Sequence, residues 1–167
     1  GIGVNPKIGL AVEAGLDCQN GILVNEFCQT SDDNIFAIGD CANYPNSIYD
    51  QRLRLESVQN AIEQAKIAAS TINKIDLPHN QIPWFWSDQY ELKLQMVGFS
   101  SDGDTAVLRG DPEALQFATF YLKDGKVVAV DAVNSPKEFM VAKRLYGMQV
   151  NADSLADSAI DLKSLIS

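Results

Sequence analysis

The sequence predicts a two-part α+β chain, and three observations predict it. A single long amphipathic helix over residues 56–74 follows several short apolar strand segments. A linker over residues 75–83 carries Pro78, His79, Asn80 and Pro83. Beyond it the pattern changes to short strands that end in an Asp-Gly hairpin and a Pro-initiated helix. Residues 1–76 therefore read as the remnant of an α/β layer. Residues 82–167 read as an antiparallel sheet with helices on one face.

The elements follow in chain order. Gly1-Ile2-Gly3-Val4 reads as a strand remnant, and a short helix around Leu10 and Val12 is closed by Gly15. Residues 21–24 and 34–38 read as strands, and residues 42–51 as a loop. In the long helix, Val58, Ile62, Ala65, Ala69 and Ile72 form one apolar stripe, expected to be buried, with Ser57 as the N-cap. Residues 92–98 alternate, with Leu92, Leu94 and Met96 on one face and Lys93, Gln95 and Val97 on the other. Further strands are expected at 105–108, 114–122 and 126–133, the last two joined by Asp124-Gly125 in a type I′ turn. Ser135-Pro136 starts a helix that ends at Gly147, and a last helix or turn covers about residues 154–166.

The 167 residues carry a net charge of -9, which argues against a nucleic-acid partner, since phosphate recognition wants a basic face. No apolar run approaches the length of a membrane span. Cys18, Cys28 and Cys41 are odd in number and lack C-x-x-C spacing, so neither a disulfide framework nor a zinc site is expected. A cytoplasmic protein with reduced thiols follows.

Few residues carry chemistry. Thr30 to Cys41 reads as a polar turn and an apolar strand ending in Gly39-Asp40. Glycine there permits close backbone approach, and the carboxylate accepts from a hydroxyl. The N-terminus of the long helix offers unpaired N–H groups to developing negative charge. Pro83-Trp84-Phe85-Trp86 can rim a planar ring, and alternation puts Trp84 and Trp86 on one side and Phe85 on the other. His79, the only histidine, is expected to be solvated and without a catalytic role. Lys137, Lys143 and Arg144 are expected on a solvated helix face, and Glu56 and Asp88 are candidate partners for a basic group.

Together these residues resemble the ferredoxin-reductase group of the FAD-dependent pyridine nucleotide-disulfide oxidoreductase superfamily. Its markers here are Gly1 to Pro6, the Gly39-Asp40 signature, Arg54-Leu55-Glu56-Ser57-Val58-Gln59-Asn60-Ala61, Pro83 to Gln89, and Gln116 to Leu122 with Asp124-Gly125. The resemblance implies that residues 1–76 are the carboxyl-terminal part of an FAD-binding domain and residues 82–167 a carboxyl-terminal reductase domain. It implies that Gly39 and Asp40 meet the flavin ribitol side, that Val58 and Gln59 approach the pyrimidine edge, and that Trp86 borders the ring. The whole reductase would take hydride from NAD(P)H onto FAD and pass electrons to a ferredoxin or rubredoxin. No G-x-G-x-x-G follows a strand. This chain alone is therefore expected to bind FAD weakly, to lack activity and to self-associate through uncovered apolar surface. The alternative is a non-catalytic dimerisation or interaction module that keeps the reductase fold.

Overall fold

The structure, a computed structural model, describes residues 3–166. It divides into two compact units between Gln81 and Ile82.

In the first unit, α1 (Gly9–Glu13) is a single turn that Gly15, at φ +75°, terminates by donating its N–H to Val12. The strand remnant at residues 1–4 lies partly outside the described residues, and Gly3 and Val4 form no strand. A small sheet has the order β1-β2-β3. Strand β1 (Ile22–Leu23) runs parallel to β2 (Ala42–Asn46), and β3 (Gln51–Leu53) runs antiparallel to β2. The expected loop at 42–51 is thus a hairpin. Pro45 is tolerated inside β2 because β1 reaches only as far as Asn43, so no neighbour needs the missing N–H. Tyr44 and Asn46 plug this hairpin into the interior, both fully buried. Arg52 locks it from the side, its Nη2 donating to the carbonyls of Val24 and Asn43.

The expected strand at 34–38 is not one. Phe36 makes a single bridge to Gln29, and Ala37 donates to the Cys28 carbonyl at 3.2 Å. The Ile35 carbonyl accepts the Thr30 N–H at 2.9 Å, but a strand needs a continuous ladder of partners, and these are isolated contacts to the 28–30 segment.

Helix α2 (Val58–Ile72) begins where the sequence placed it, with Ser57 Oγ accepting the Asn60 N–H at 3.2 Å. Its buried side is the reverse of the expected one. Asn60, Gln64, Ile67 and Ala68 face inward, while the stripe Val58, Ile62, Ala65, Ala69 and Ile72 is exposed. The two inward polar residues decide this. Asn60 Nδ2 donates to the Leu55 carbonyl, and Gln64 Oε1 accepts from Gly39. Those bonds are available only on the inner face.

The second unit is a five-stranded antiparallel sheet built from β4 (Trp84–Gln89), β5 (Leu92–Gly98), β6 (Thr105–Asp111), β7 (Gln116–Lys123) and β8 (Lys126–Val133), in the order β4-β5-β8-β7-β6. Asp124 and Gly125 take φ +49° and +76°, as a type I′ turn demands. Helices α3 (Pro136–Leu145) and α4 (Ala152–Ala156) and a 3-10 turn at Leu162–Leu165 follow. The expected last helix is therefore split in two. Phe139, Ala142 and Leu145 of α3, with Leu155 and Leu162, close one core with Val97, Val107, Ala118, Phe120 and Val130. The helices thus lie on one face of the sheet, the α+β layering expected.

Register explains which side of β5 is core. Val97 pairs with Trp84 and Val130, so the Lys93-Gln95-Val97 face is the helix side, and only Val97 of it is buried. The opposite face carries Phe85, Met96, Asp131, Thr119 and Leu108 in one row. Asp131 there is half-buried and accepts the Tyr121 hydroxyl at 3.0 Å.

Arg109 reaches from β6 into the core side and is 7% exposed. Its guanidinium donates to four main-chain carbonyls, those of Leu155, Asp157, Ser158 and Ile160, at 3.1, 2.7, 3.5 and 2.8 Å. The planar fork of donors ties the whole 155–160 segment to the sheet.

Candidate functional site

Four of the five site residues expected from the sequence lie in the first unit, around one turn. Gly39 opens a short 3-10 turn (Gly39–Cys41) at φ +78°. Its N–H donates to Gln64 Oε1 at 2.7 Å, which pins the turn to α2. A methyl at Gly39 would come no closer than 3.8 Å to any atom, that atom being Ala61 Cβ, so a clear approach to the backbone remains. The Asp40 carbonyl accepts Arg54 Nη1 at 2.9 Å, and the same nitrogen pairs with Glu56 at 2.8 Å. The Asp40 side chain is exposed and has no hydrogen-bond partner among the described residues. Its carboxylate is free to accept from a hydroxyl.

Val58 and Gln59 open α2. The Ser57 hydroxyl takes the Asn60 N–H, and the Ser57 carbonyl takes that of Ala61. Among the described residues, the N–H groups of Val58 and Gln59 are the two left without a partner in this first turn. With the helix dipole they present about half a positive charge. Gln59 adds a second signal, since both polar atoms of its side-chain amide are out of solvent with no hydrogen-bond partner among the described residues. A buried amide left unpaired costs about 1–3 kcal/mol unless something satisfies it. An exposed carboxylate, two open N–H groups and an orphaned amide together offer acceptors for hydroxyls and donors for carbonyl oxygens.

Trp86 belongs to the second unit, on the edge strand β4, and is 38% exposed. The expected alternation holds. Trp84 and Trp86 share a face with ring centroids 5.9 Å apart, tilted by 31°. Trp84 packs against the core, its ring 5.8 Å from that of Phe139.

Two residues stand elsewhere than expected. His79 is not solvated but 6% exposed, stacked on Tyr44 at 4.1 Å, with its main-chain N–H on the Glu26 carbonyl. Burial pulls its pKa below the ordinary histidine value, partly offset by the Glu63 carboxylate. The Pro-flanked segment reads as solvated because the ring's partner is 35 residues away. Lys143 is not on a solvated face but half-buried, its Nζ 3.5 Å over the Trp84 ring. Lys137 and Arg144 are exposed as expected. Glu56 does find a base, Arg54. Sequence reasoning missed Gln64 and Arg54 as the supports of the Gly39-Asp40 turn. The only signal for Gln64 was a polar residue one turn after Asn60.

The three cysteines are free. Cys28 is buried, which pushes its thiol up to about 11 and makes it a poor nucleophile. Among the described residues no cluster of three or more metal-ligating side chains occurs, and no helix is long and apolar enough to cross a membrane.

Comparison with known proteins identifies the arrangement. Residues 84–166 match the family model described as reductase C-terminal, and residues 1–65 match that of the pyridine nucleotide-disulphide oxidoreductases. The chain is 46% identical to putidaredoxin reductase of Pseudomonas putida over 170 residues, covering 99% of this chain and 40% of that protein. It is 44% identical to a probable ferredoxin reductase of Castellaniella defragrans, covering 98% and 41%. Among solved structures, the ferredoxin reductase for the CYP199A2 system from Rhodopseudomonas palustris superposes with a TM-score of 0.93 at 36% identity, covering 100% of this chain and 42% of that one. The covalent putidaredoxin reductase–putidaredoxin complex superposes with a TM-score of 0.90 at 44% identity, covering 99% and 40%. The chain thus spans about two fifths of the length of these relatives. With two family models in tandem and relatives of one kind along its whole length, the chain belongs to the ferredoxin-reductase group of the pyridine nucleotide-disulphide oxidoreductases.

Proposed function

We propose that this chain is part of an FAD-dependent NAD(P)H:ferredoxin or rubredoxin reductase, and that it supplies flavin-facing residues to it. Residues 1–76 are the chain's share of the FAD-binding domain, and residues 82–167 are the carboxyl-terminal reductase domain. The observation that carries the reading is the open first turn of α2 beside the pinned Gly39-Asp40 turn. Bound FAD would accept hydride from NAD(P)H and release electrons one at a time to an iron–sulfur partner.

The chain's own residues position and tune. Asp40 accepts from ribitol hydroxyls, and Arg54, holding the Asp40 main-chain carbonyl and Glu56, steadies the backbone of that turn. Gly39 lets the cofactor approach the backbone. The Val58 and Gln59 N–H groups, with the helix dipole, favour negative charge on the pyrimidine edge. Trp86 borders the ring in this reading. The free thiols of Cys18, Cys28 and Cys41 fit a reducing cytoplasm. Self-association through the exposed α2 stripe is part of this reading for the chain on its own.

The test is flavin retention by the full-length reductase. Asp40→Ala is expected to weaken FAD binding at least tenfold, read by the flavin remaining after desalting and titration. Unchanged affinity refutes the assignment. If Trp86→Ala changes stability but leaves flavin spectra and turnover untouched, the non-catalytic interaction module is the better reading.

A further inference from the structure

We infer that Lys143 is a positioning residue for Trp86, acting through Trp84. The inference rests on the reading of Trp86 as flavin-bordering.

Trp86 lies on an edge strand, so its ring has a strand neighbour on one side only. That neighbour is Gln95, which offers no aromatic surface. The lateral support of Trp86 is therefore Trp84, two residues back on the same face. Trp84 in turn is held on three sides. Val97, 2% exposed, is its cross-strand partner. Phe139, 2% exposed, meets it at 5.8 Å and 48°. Lys143 Nζ lies 3.5 Å from the Trp84 centroid and 4.7 Å from that of Phe139.

The sequence builds this clamp. Phe139 and Lys143 are four residues apart on α3, so they share one face, and the lysine stem runs along the ring it covers. Lys143 makes no ion pair among the described residues. Its ammonium lies over two ring faces, which suits a cation–π contact in a partly desolvated place. Burial accordingly holds its pKa below the ordinary lysine value. The row Trp86–Trp84–Phe139 is thus closed by a fixed positive charge. It fixes the tilt of Trp86 and adds an electrostatic bias toward extra electron density on a group beside that ring.

The chain contains two tryptophans, Trp84 and Trp86, so its near-ultraviolet circular dichroism and tryptophan emission report this pair. Lys143→Met keeps the stem and removes the charge, and Lys143→Arg keeps the cation. Lys143→Gln serves if the methionine variant does not fold. The expected spectral result is an altered tryptophan signature in Lys143→Met and a near-native one in Lys143→Arg. In the full-length reductase, Lys143→Met is expected to lower kcat to the iron–sulfur acceptor about fivefold at unchanged KM for NAD(P)H, and to move the flavin midpoint potential negative. Lys143→Arg is expected to stay within about twofold. Unchanged tryptophan spectra in Lys143→Met or Lys143→Gln overturn the inference. If the spectra change and the potential does not, Trp86→Ala separates the causes. A potential that responds to Trp86→Ala leaves the flavin reading intact and overturns the role of Lys143. A potential that responds to neither overturns both.

Discussion

Replacing Arg109 with methionine removes the guanidinium but keeps most of the buried stem. The three contacts to Leu155, Asp157 and Ile160 are 3.1 Å or shorter, and that to Ser158 is marginal at 3.5 Å. A hydrogen bond from a charged donor contributes about 1.5–3 kcal/mol, and the 155–160 segment can recover part of this by hydrating its carbonyls. Relief of the buried charge offsets a further part. The expected loss is therefore about 3–5 kcal/mol, a large fraction of the roughly 5–15 kcal/mol that holds a domain together. Arg109→Lys keeps the charge but not the fork, and is expected to recover no more than half. The assay is equilibrium urea unfolding followed by tryptophan emission, because both tryptophans report on the second unit. A loss below about 1 kcal/mol at unchanged slope would refute the reasoning, showing that water serves these carbonyls as well as the arginine does.

Three other expectations concern stability. The folded-state pKa of His79 is depressed by burial, so as pH falls through about 6.5 the unfolded chain takes up its proton first. Stability from this residue is complete above that pH and is lost below it, at no more than about 1.4 kcal/mol per pH unit. His79→Phe keeps the stack on Tyr44 and should flatten the urea midpoint between pH 7.5 and 5, whereas an unchanged slope would assign the loss to other groups. Gly98→Ala places a methyl 2.2 Å from the Val128 carbonyl at φ +73° and is expected to cost more than about 3 kcal/mol. Gly39→Ala meets only an ordinary contact with Ala61 at 3.8 Å but keeps φ +78°, and should cost about 1–2 kcal/mol, so similar melting temperatures for the two variants would contradict the geometry. Ile72→Lys sits on the exposed stripe of α2, at 64% exposure, and is expected to change unfolding by less than about 0.5 kcal/mol; a loss of several kcal/mol would mean the stripe is covered.

Local chemistry was legible and long-range choice was not. Asp124-Gly125, Ser57 and Ser135-Pro136 each announce a turn or a cap from adjacent residues, and each element begins where its signal lies. Gly39 and Asp40 came forward as candidates from a local strand-to-turn pattern, and Val58 and Gln59 from resemblance to the family segment around them. The inward face of α2 was not legible. Its apolar stripe outscored Asn60 and Gln64 until the carbonyl of Leu55 and the N–H of Gly39 appeared as their partners. Hairpin β2–β3 was hidden by Pro45, which sequence alone assigns to a loop. The burial of His79 depends on Tyr44 and that of Lys143 on Trp84, and no periodicity encodes either pair.

The tyrosine-bonded Asp131 has a consequence for how this domain behaves among its own copies. Sheet faces with Phe85, Met96 and Leu108 in a row invite a second sheet to stack on them. An ionised carboxylate in the middle of that row makes such stacking costly, because two faces brought together would bury like charges. Burial holds the Asp131 pKa above the ordinary carboxylate value, against the Tyr121 bond that lowers it. The guard therefore weakens at a milder acidity than an exposed aspartate would allow.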